Sequence, residues 1–358
     1  MGTHSNIKVL TIQEQQDIQK VQQSVEEDFL QFRNVTGIGA GIQQVNGVMT
    51  GTPSLLVFVD QKLPVETLET NQVIPKEING IKTDVIQTGY LLAGNQQTLQ
   101  VDTQALSTRI RPAKGGYSVA HRNVTAGTIA TCVYDILPNG STNPPAHGYG
   151  IPSRYYILSN NHVLANSNNA NIGDPILQPG PIDGGSDPTD RIATLSRFVP
   201  ITFSSQVPLE NQSNLVDAAI AEAPFHQIDR SIHWIGSMQG WRRQQNVTVG
   251  TRVMKTGRTT NHTHGVITAV NATVDVNYGS GRVARFRDQI VTTNLSSGGD
   301  SGSLITTNDG VAIRLLFTGS TSVTIANQMD KKPPCNLFQA LYKDFKQKVR
   351  LGIKIKAY

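Results

Sequence analysis

Gly298-Gly299-Asp300-Ser301-Gly302-Ser303 stands between two runs that read as β-strands, and the reading of this hexapeptide decides the reading of the chain. A serine hydroxyl is a weak nucleophile until a base takes its proton and donors receive the charge that forms on the attacked oxygen. Glycines on both sides of Ser301 let the backbone turn sharply and leave the amides of Gly299 and Ser301 free to point together. A bare Gly-Asp-Ser-Gly is also an ordinary tight turn. A catalytic reading therefore requires a histidine and an aspartate elsewhere, each in a setting that suits it to the work.

Among the 8 histidines, His162 directly follows an apolar run, Tyr155-Tyr156-Ile157-Leu158-Ser159. Asp217, in Asn-Leu-Val-Asp-Ala-Ala-Ile-Ala-Glu, heads a strand of small apolar residues. A carboxylate there is partly buried, which is costly without a partner. An imidazole N–H is a suitable partner, because it fixes the tautomer and stabilises the imidazolium during proton transfer. Asp174 and Asp190 fall in turn-rich loops and are weaker choices. His162 precedes Asp217 by 55 residues, and Asp217 precedes Ser301 by 84.

These motifs resemble the trypsin/chymotrypsin-like serine peptidases, and most closely their bacterial trypsin-like branch. The likeness rests on the Gly-Asp-Ser-Gly loop, the apolar strand ending in Ser and two small residues before His162, and the Asp-small-small phrase at Asp217. Lys255 to Val266, KTGRTTNHTHGV, adds a Gly-Arg-Thr-Thr turn typical of that branch. Asn160 and Asn161 depart from the family's usual pair of alanines. The order His162, Asp217, Ser301 is that of the chymotrypsin class and not of the α/β-hydrolases or subtilisins, and no G-x-S-x-G elbow surrounds Ser301. The likeness covers roughly residues 110 to 345.

The resemblance implies a catalytic triad of His162, Asp217 and Ser301, with an oxyanion hole from the amides of Gly299 and Ser301. Asp300 then shapes the oxyanion loop. Phe317, Thr318 and Gly319 correspond to the pocket wall that pairs with substrate backbone, and Leu295, six positions before Ser301, to the specificity position. Since Leu295 is not a carboxylate, the expected cleavage follows a small or apolar residue rather than Lys or Arg. The implied activity is that of a serine endopeptidase acting on protein or peptide substrates through an acyl-enzyme. A peptide-binding scaffold on a latent or inactive protease fold is the alternative, since fold does not fix function.

Outside that region the pattern changes. Residues 11 to 33 place Ile12, Ile18, Val21, Val25, Phe29 and Phe32 on one stripe, which predicts an amphipathic helix. Asn46-Gly47 between apolar runs predicts a hairpin leading into Ser54 to Val59, and Thr83 to Gly89 predicts another strand. Gly37, Gly39 and Gly41 fail the dinucleotide fingerprint, whose third glycine would stand at Ile42; Met254 likewise breaks any P-loop near Lys255. Short β runs separated by Gly, Pro, Asn and Asp fill the chain from Tyr117 onward, and LFQALYKDFKQKV after a double proline predicts a C-terminal helix.

The expected architecture is therefore mainly β. Two six-stranded antiparallel barrels (residues 110–345) with a C-terminal helix follow a small α+β N-terminal domain (1–105), and a basic tail (346–358) ends the chain. The N-terminal domain is a candidate pro-segment or regulatory unit, with a cleavable linker near Arg109 to Lys114. Charged residues make up 16% of the chain, and a net charge of +5 is scattered without aromatic interleaving, which argues against nucleic acid. No run approaches 18 apolar residues, and the first residues lack an apolar signal core, so no membrane span is expected. That leaves a cytoplasmic protein or one exported without an ordinary signal peptide. No cofactor is expected. His262 and His264 lack a third ligand of matching spacing, so no metal is expected either. Cys132 and Cys335 form no C-x-x-C pair and read as two free thiols, with a single disulfide left open. Nothing in the sequence sets the oligomeric state.

Overall fold

The computed structural model describes residues 7–93, 106–135, 154–328 and 349–351. Their core is built by two curved antiparallel sheets. The first contains six strands in the order Thr131–Asp135, Tyr155–Ser159, Ala219–Ala223, Arg191–Phe198, Pro175–Leu177, Ser118–His121, with the short segments Val349–Leu351 and Gly127–Thr128 at its edges. The chain passes from edge segment Gly127–Thr128 almost directly into Thr131–Asp135, so the sheet curls round its own core. Val119, Ile157, Val163, Ile176, Leu195 and Ala219 fill that core. Alternation of apolar and small residues along short strands suits such a curled sheet, where each strand has one inward face.

The second sheet closes. Arg252–Gly257, Leu304–Thr306, Val311–Gly319, Val323–Gln328, Val283–Thr293 and Asn261–Asn277 follow one another, and Asn261–Asn277 pairs back to Arg252–Gly257. This gives one six-stranded barrel beside the curled first sheet, so the mainly β, two-barrel expectation holds. No helix among the described residues is long and apolar enough to cross a membrane. The expected C-terminal helix and Cys335 lie outside the described residues. The described part of the expected basic tail, Val349–Leu351, is a strand on the first sheet.

Residues 35–87 extend this second sheet across the boundary expected near residue 105. Strand Val35–Val45 pairs with Asn261–Asn277, and its hairpin partner Val48–Val59 continues the sheet to Ile81–Gln87. Asn46 and Gly47 make the predicted turn with φ of 51° and 77°, the paired positive values that a two-residue hairpin requires. The helix Ile12–Phe29 starts at Thr11, whose hydroxyl and Glu14 carboxylate form a reciprocal capping box. Its stripe, Ile18, Val21 and Phe29, shares one apolar cluster with Ile38, Val249, Val253, Ile267 and Ile305. Buried Gln15 adds polar stitches, donating to Val247 O at 3.3 Å and accepting from Val249 N at 2.8 Å. Helix, hairpin and barrel therefore share one core.

Candidate active site

Three segments from different sheets meet where the barrels touch. After strand Tyr155–Ser159 the chain makes a single helical turn, Asn161–Leu164, which carries His162. The two asparagines before it are structural. Asn160 Nδ2 donates to Asp217 O at 2.7 Å, and Asn161 Nδ2 donates to Asn168 Oδ1 and Val199 O, each at 2.7 Å. Asn160 thus ties this turn to Asp217, and Asn161 ties it to Asn168 and Val199.

Asp217 is fully buried, and its Oδ2 lies 2.6 Å from His162 Nδ1. A carboxylate without a proton only accepts, and opposite such a group Nδ1 is the donor and Nε2 keeps its lone pair. The His162 amide donates to Asp217 Oδ1 at 3.2 Å. A further donor was missed in the sequence: Tyr278 Oη reaches Asp217 Oδ2 at 2.7 Å. Nothing in the sequence marked it, because an aromatic before a Gly-Ser-Gly turn reads as ordinary core. His162 Nε2 is buried and has no partner among the described residues.

Ser301 sits on the second barrel, in a loop pinned to the first. Thr128 N donates to Ser301 O at 2.7 Å, and Thr128 Oγ1 donates to Gly299 O at 2.8 Å. Gly299 and Gly302 both have φ of 95°. A Cβ on Gly302 would stand 2.1 Å from Ser159 Oγ, so this close approach to the histidine-bearing strand demands glycine. Ser301 Oγ is turned to Phe317 O, 3.5 Å away, at the far limit of a hydrogen bond.

Asp300 beneath the serine is fully buried and collects donors on both oxygens. Oδ1 accepts from Thr259 N at 2.8 Å and Thr260 N at 3.2 Å. Oδ2 accepts from Thr260 Oγ1 at 2.6 Å, Ser297 N at 3.0 Å and Lys255 Nζ at 3.2 Å. Burial pushes the Lys255 ammonium below its ordinary pKa, and Asp300 opposes that shift. Arg258, from the same stretch, reaches across to Asp183 with a forked pair of hydrogen bonds and so clamps the barrels together. Lys255, Arg258, Thr259 and Thr260 all come from the Lys255 to Val266 stretch singled out in the sequence.

The cleft beside Ser301 is lined by Ser296, Ser297, Gly298, Thr318, Gly319 and Ser320, with Leu316 and Leu92. Thr318 and Gly319, two of the expected substrate-binding residues, are among this lining. Phe317 contributes its carbonyl, while its ring packs in the core at 4.8 Å from Phe286. Leu295 requires a correction. It is only 4% exposed and joins the core cluster beneath the helix, and its neighbour Ser296 faces the cleft instead. Ser296, which faces the cleft, is five positions before Ser301, so a count of six goes one place too far.

The cleft also holds part of the chain itself. Leu92 pairs antiparallel with Gly319, its amide 3.4 Å from Gly319 O. On the other side Ala93 N donates to Asn277 O at 3.0 Å, and Asn277 N to Leu91 O at 2.9 Å. Leu91 to Ala93 is thus an extra strand between Val311–Gly319 and Asn261–Asn277. Arg109 to Lys114, the expected linker, is anchored rather than loose. Ile110 N donates to Gln178 Oε1 at 3.0 Å, and Ala113–Gly115 is a strand paired with Ile228–Ile232. His262 and His264 stack edge to face at 4.7 Å, and no group of three or more His, Cys, Asp or Glu among the described residues could hold a metal ion.

No family model matches the chain. Glutamyl endopeptidase 2 of Streptomyces griseus is 46% identical over 67 residues, which is 19% of this chain and 33% of that protein. The chain resembles bacterial serine proteases. It spans about a third of the length of this curated relative. Among solved structures, Thermobifida fusca protease A is similar with a TM-score of 0.39 and 15% identity, over 66% of this chain and 97% of that one. A glutamic-acid-specific serine protease described as using a histidine triad in substrate binding has a TM-score of 0.40 and 21% identity, over 66% and 100%. The two-barrel assignment stands on the strand pairings of this chain itself.

Proposed function

We propose that this protein is a serine endopeptidase whose triad is His162, Asp217 and Ser301. The observation that carries the reading is the 2.6 Å contact of His162 Nδ1 with a fully buried Asp217, which leaves Nε2 as a free base at the junction that holds Ser301. His162 Nε2 takes the Ser301 proton as Oγ attacks a peptide carbonyl. The oxyanion forms near the amides of Gly299 and Ser301, which make no hydrogen bond to another described residue. Each such donor contributes about 3 kcal/mol to the transition state. His162 then protonates the leaving amine, the acyl-enzyme forms, and a water molecule repeats the cycle.

Among the described residues the cleft lining carries hydroxyls and no carboxylate, which supports a small uncharged side chain before the scissile bond and disfavours Lys or Arg. The same hydroxyls can donate to a carboxylate, and the name of the Streptomyces griseus relative makes glutamate the second reading. Residues 7–93 serve, in this proposal, as a regulatory region that remains part of the fold, since its strands and its Leu91 to Ala93 segment are paired into the second sheet. A peptide enters the cleft by displacing that segment.

A fluorophosphonate probe tests the reading. The expected result is a label on Ser301 that is lost in Ser301→Ala, together with cleavage of casein beyond that of short esters. Absence of label in folded wild-type protein and in a variant with the segment loosened, Ala93→Pro, would overturn the enzyme reading. A peptide-library cleavage profile separates the two specificities.

A further inference from the structure

Tyr278 follows the long strand Asn261–Asn277, just before a Gly-Ser-Gly turn, and its amide closes that turn by donating to Arg282 O at 2.8 Å. Its ring belongs to an aromatic cluster. It meets Phe203 edge-on at 5.3 Å, stacks on Phe286 at 6.2 Å, and stands edge-on to the His162 imidazole at 6.0 Å. Its hydroxyl donates to Asp217 Oδ2 at 2.7 Å, the oxygen that also accepts from His162 Nδ1 at 2.6 Å. Among the described residues Oδ1 receives only the longer bond from the His162 amide, at 3.2 Å. Two short donors on one oxygen fix the plane of a carboxylate more tightly than either alone. Burial and the neighbouring Asp217 charge push the phenol pKa well up, so the hydroxyl keeps its proton for donation. The charged groups facing it are Asp217 and, more weakly, Arg282, whose guanidinium lies 5.1 Å over the Phe203 ring.

We propose that Tyr278 is a positioning residue of this site, a fourth member that holds Asp217 Oδ2 toward His162 and backs the imidazole with its ring. During acylation a proton arrives on His162 beside a buried carboxylate. The phenol shares part of that carboxylate's charge through its hydrogen bond, which keeps the proton on nitrogen and the imidazole in register with Ser301. The inference rests on the peptidase reading and goes beyond it, because nothing in the triad by itself calls for a tyrosine.

Tyr278→Phe keeps the ring and its packing and removes one oxygen. In the full chain, KM should be unchanged, while kcat and the rate of Ser301 labelling fall by about tenfold. The low-field proton signal of His162 Nδ1–H should shift, a change that a purely structural role would not produce in a folded variant. In an Asp217→Asn background the same substitution should have no further effect on kcat. If the phenylalanine variant does not fold, fluorotyrosine at position 278 alters the phenol's acidity and keeps its shape, and both kcat and the low-field signal must respond. A folded Tyr278→Phe protein with wild-type kcat and an unmoved signal overturns the inference. A wild-type chain that never labels overturns the peptidase reading instead, and the low-field signal then still decides whether Tyr278 positions His162.

Discussion

Lys255 Nζ lies 3.2 Å from Asp300 Oδ2, with both side chains fully buried beneath the serine loop. Breaking a buried ion pair strands one charge and costs about 3–5 kcal/mol. Lys255→Met should therefore lower the unfolding free energy by that margin, read as a fall in the urea midpoint, and loosen the oxyanion loop, so that Ser301 labelling slows even where the protein remains folded. Adding Asp300→Asn should restore much of the stability. Unchanged labelling in a folded Lys255→Met protein would mean that hydroxyl and amide donors alone hold the loop.

Asp217→Asn preserves size and replaces a charge by a neutral amide. The imidazolium loses its counter-charge and the other tautomer becomes accessible, so kcat on a peptide ester should fall by about four orders of magnitude. A drop of less than tenfold would indicate that His162 is not the base.

Ala93→Pro removes the N–H that reaches Asn277 O at 3.0 Å. A hydrogen bond of this kind contributes about 0.5–1.5 kcal/mol net, so the cleft should open about two- to tenfold more often. Fluorophosphonate labelling measured at fixed probe concentration should rise by the same factor. No change would show that the segment does not limit access to Ser301.

How much of this was legible beforehand depended on whether a feature is local. His162, Asp217 and Ser301 each sit where a strand meets a loop, His162 and Ser301 with small polar neighbours and Asp217 as the one charge in a run of apolar residues, so residue type and order single them out as candidates. The hairpin at Asn46-Gly47 and the helix from Thr11 are local for the same reason. Strand pairing is not. The apolar face of Val35–Val45 announces burial but not that its partner is Asn261–Asn277, and so the N-terminal region read as a separate unit. Tyr278 was invisible because only three-dimensional proximity distinguishes its hydroxyl from that of any other buried tyrosine. Leu295 misled by one residue, where alternation along the loop turns one side chain inward and the next outward.

Ile18 tests the shared core. It is fully buried between helix and sheet, and truncation to alanine typically costs about 2–5 kcal/mol. Ile18→Ala should shift one cooperative unfolding transition, with Ser301 labelling lost at the same urea concentration as helix signal. Two separated transitions would establish an autonomous N-terminal domain.

His121 sets a pH limit on stability. Its ring is buried, accepts from Asn123 N at 3.1 Å and faces Asp174 Oδ2 at 3.2 Å. Burial pushes its pKa down, with Asp174 opposing the shift. The unfolded chain then binds the proton more readily than the fold, so stability is fully present above about pH 6.5 and falls as pH drops below that value toward the lower folded one. His233 and His262 are shifted in the same direction by burial, so the comparison must be between variants. His121→Gln should flatten part of the acid-side slope of the unfolding free energy. An unaltered slope would remove His121 from the account.

Glu26 and Thr273 are 247 residues apart in the chain and 2.9 Å apart in the fold. At translation rates of about 5–20 residues per second, roughly 10–50 seconds separate their emergence from the ribosome. During that interval the helix Ile12–Phe29 and the hairpin of Val35–Val45 and Val48–Val59 have an apolar stripe and a strand edge without their later partners. The first sheet edge to be made is thus completed by one of the later strands, because Val35–Val45 finds its barrel partner only when Asn261–Asn277 has been synthesised.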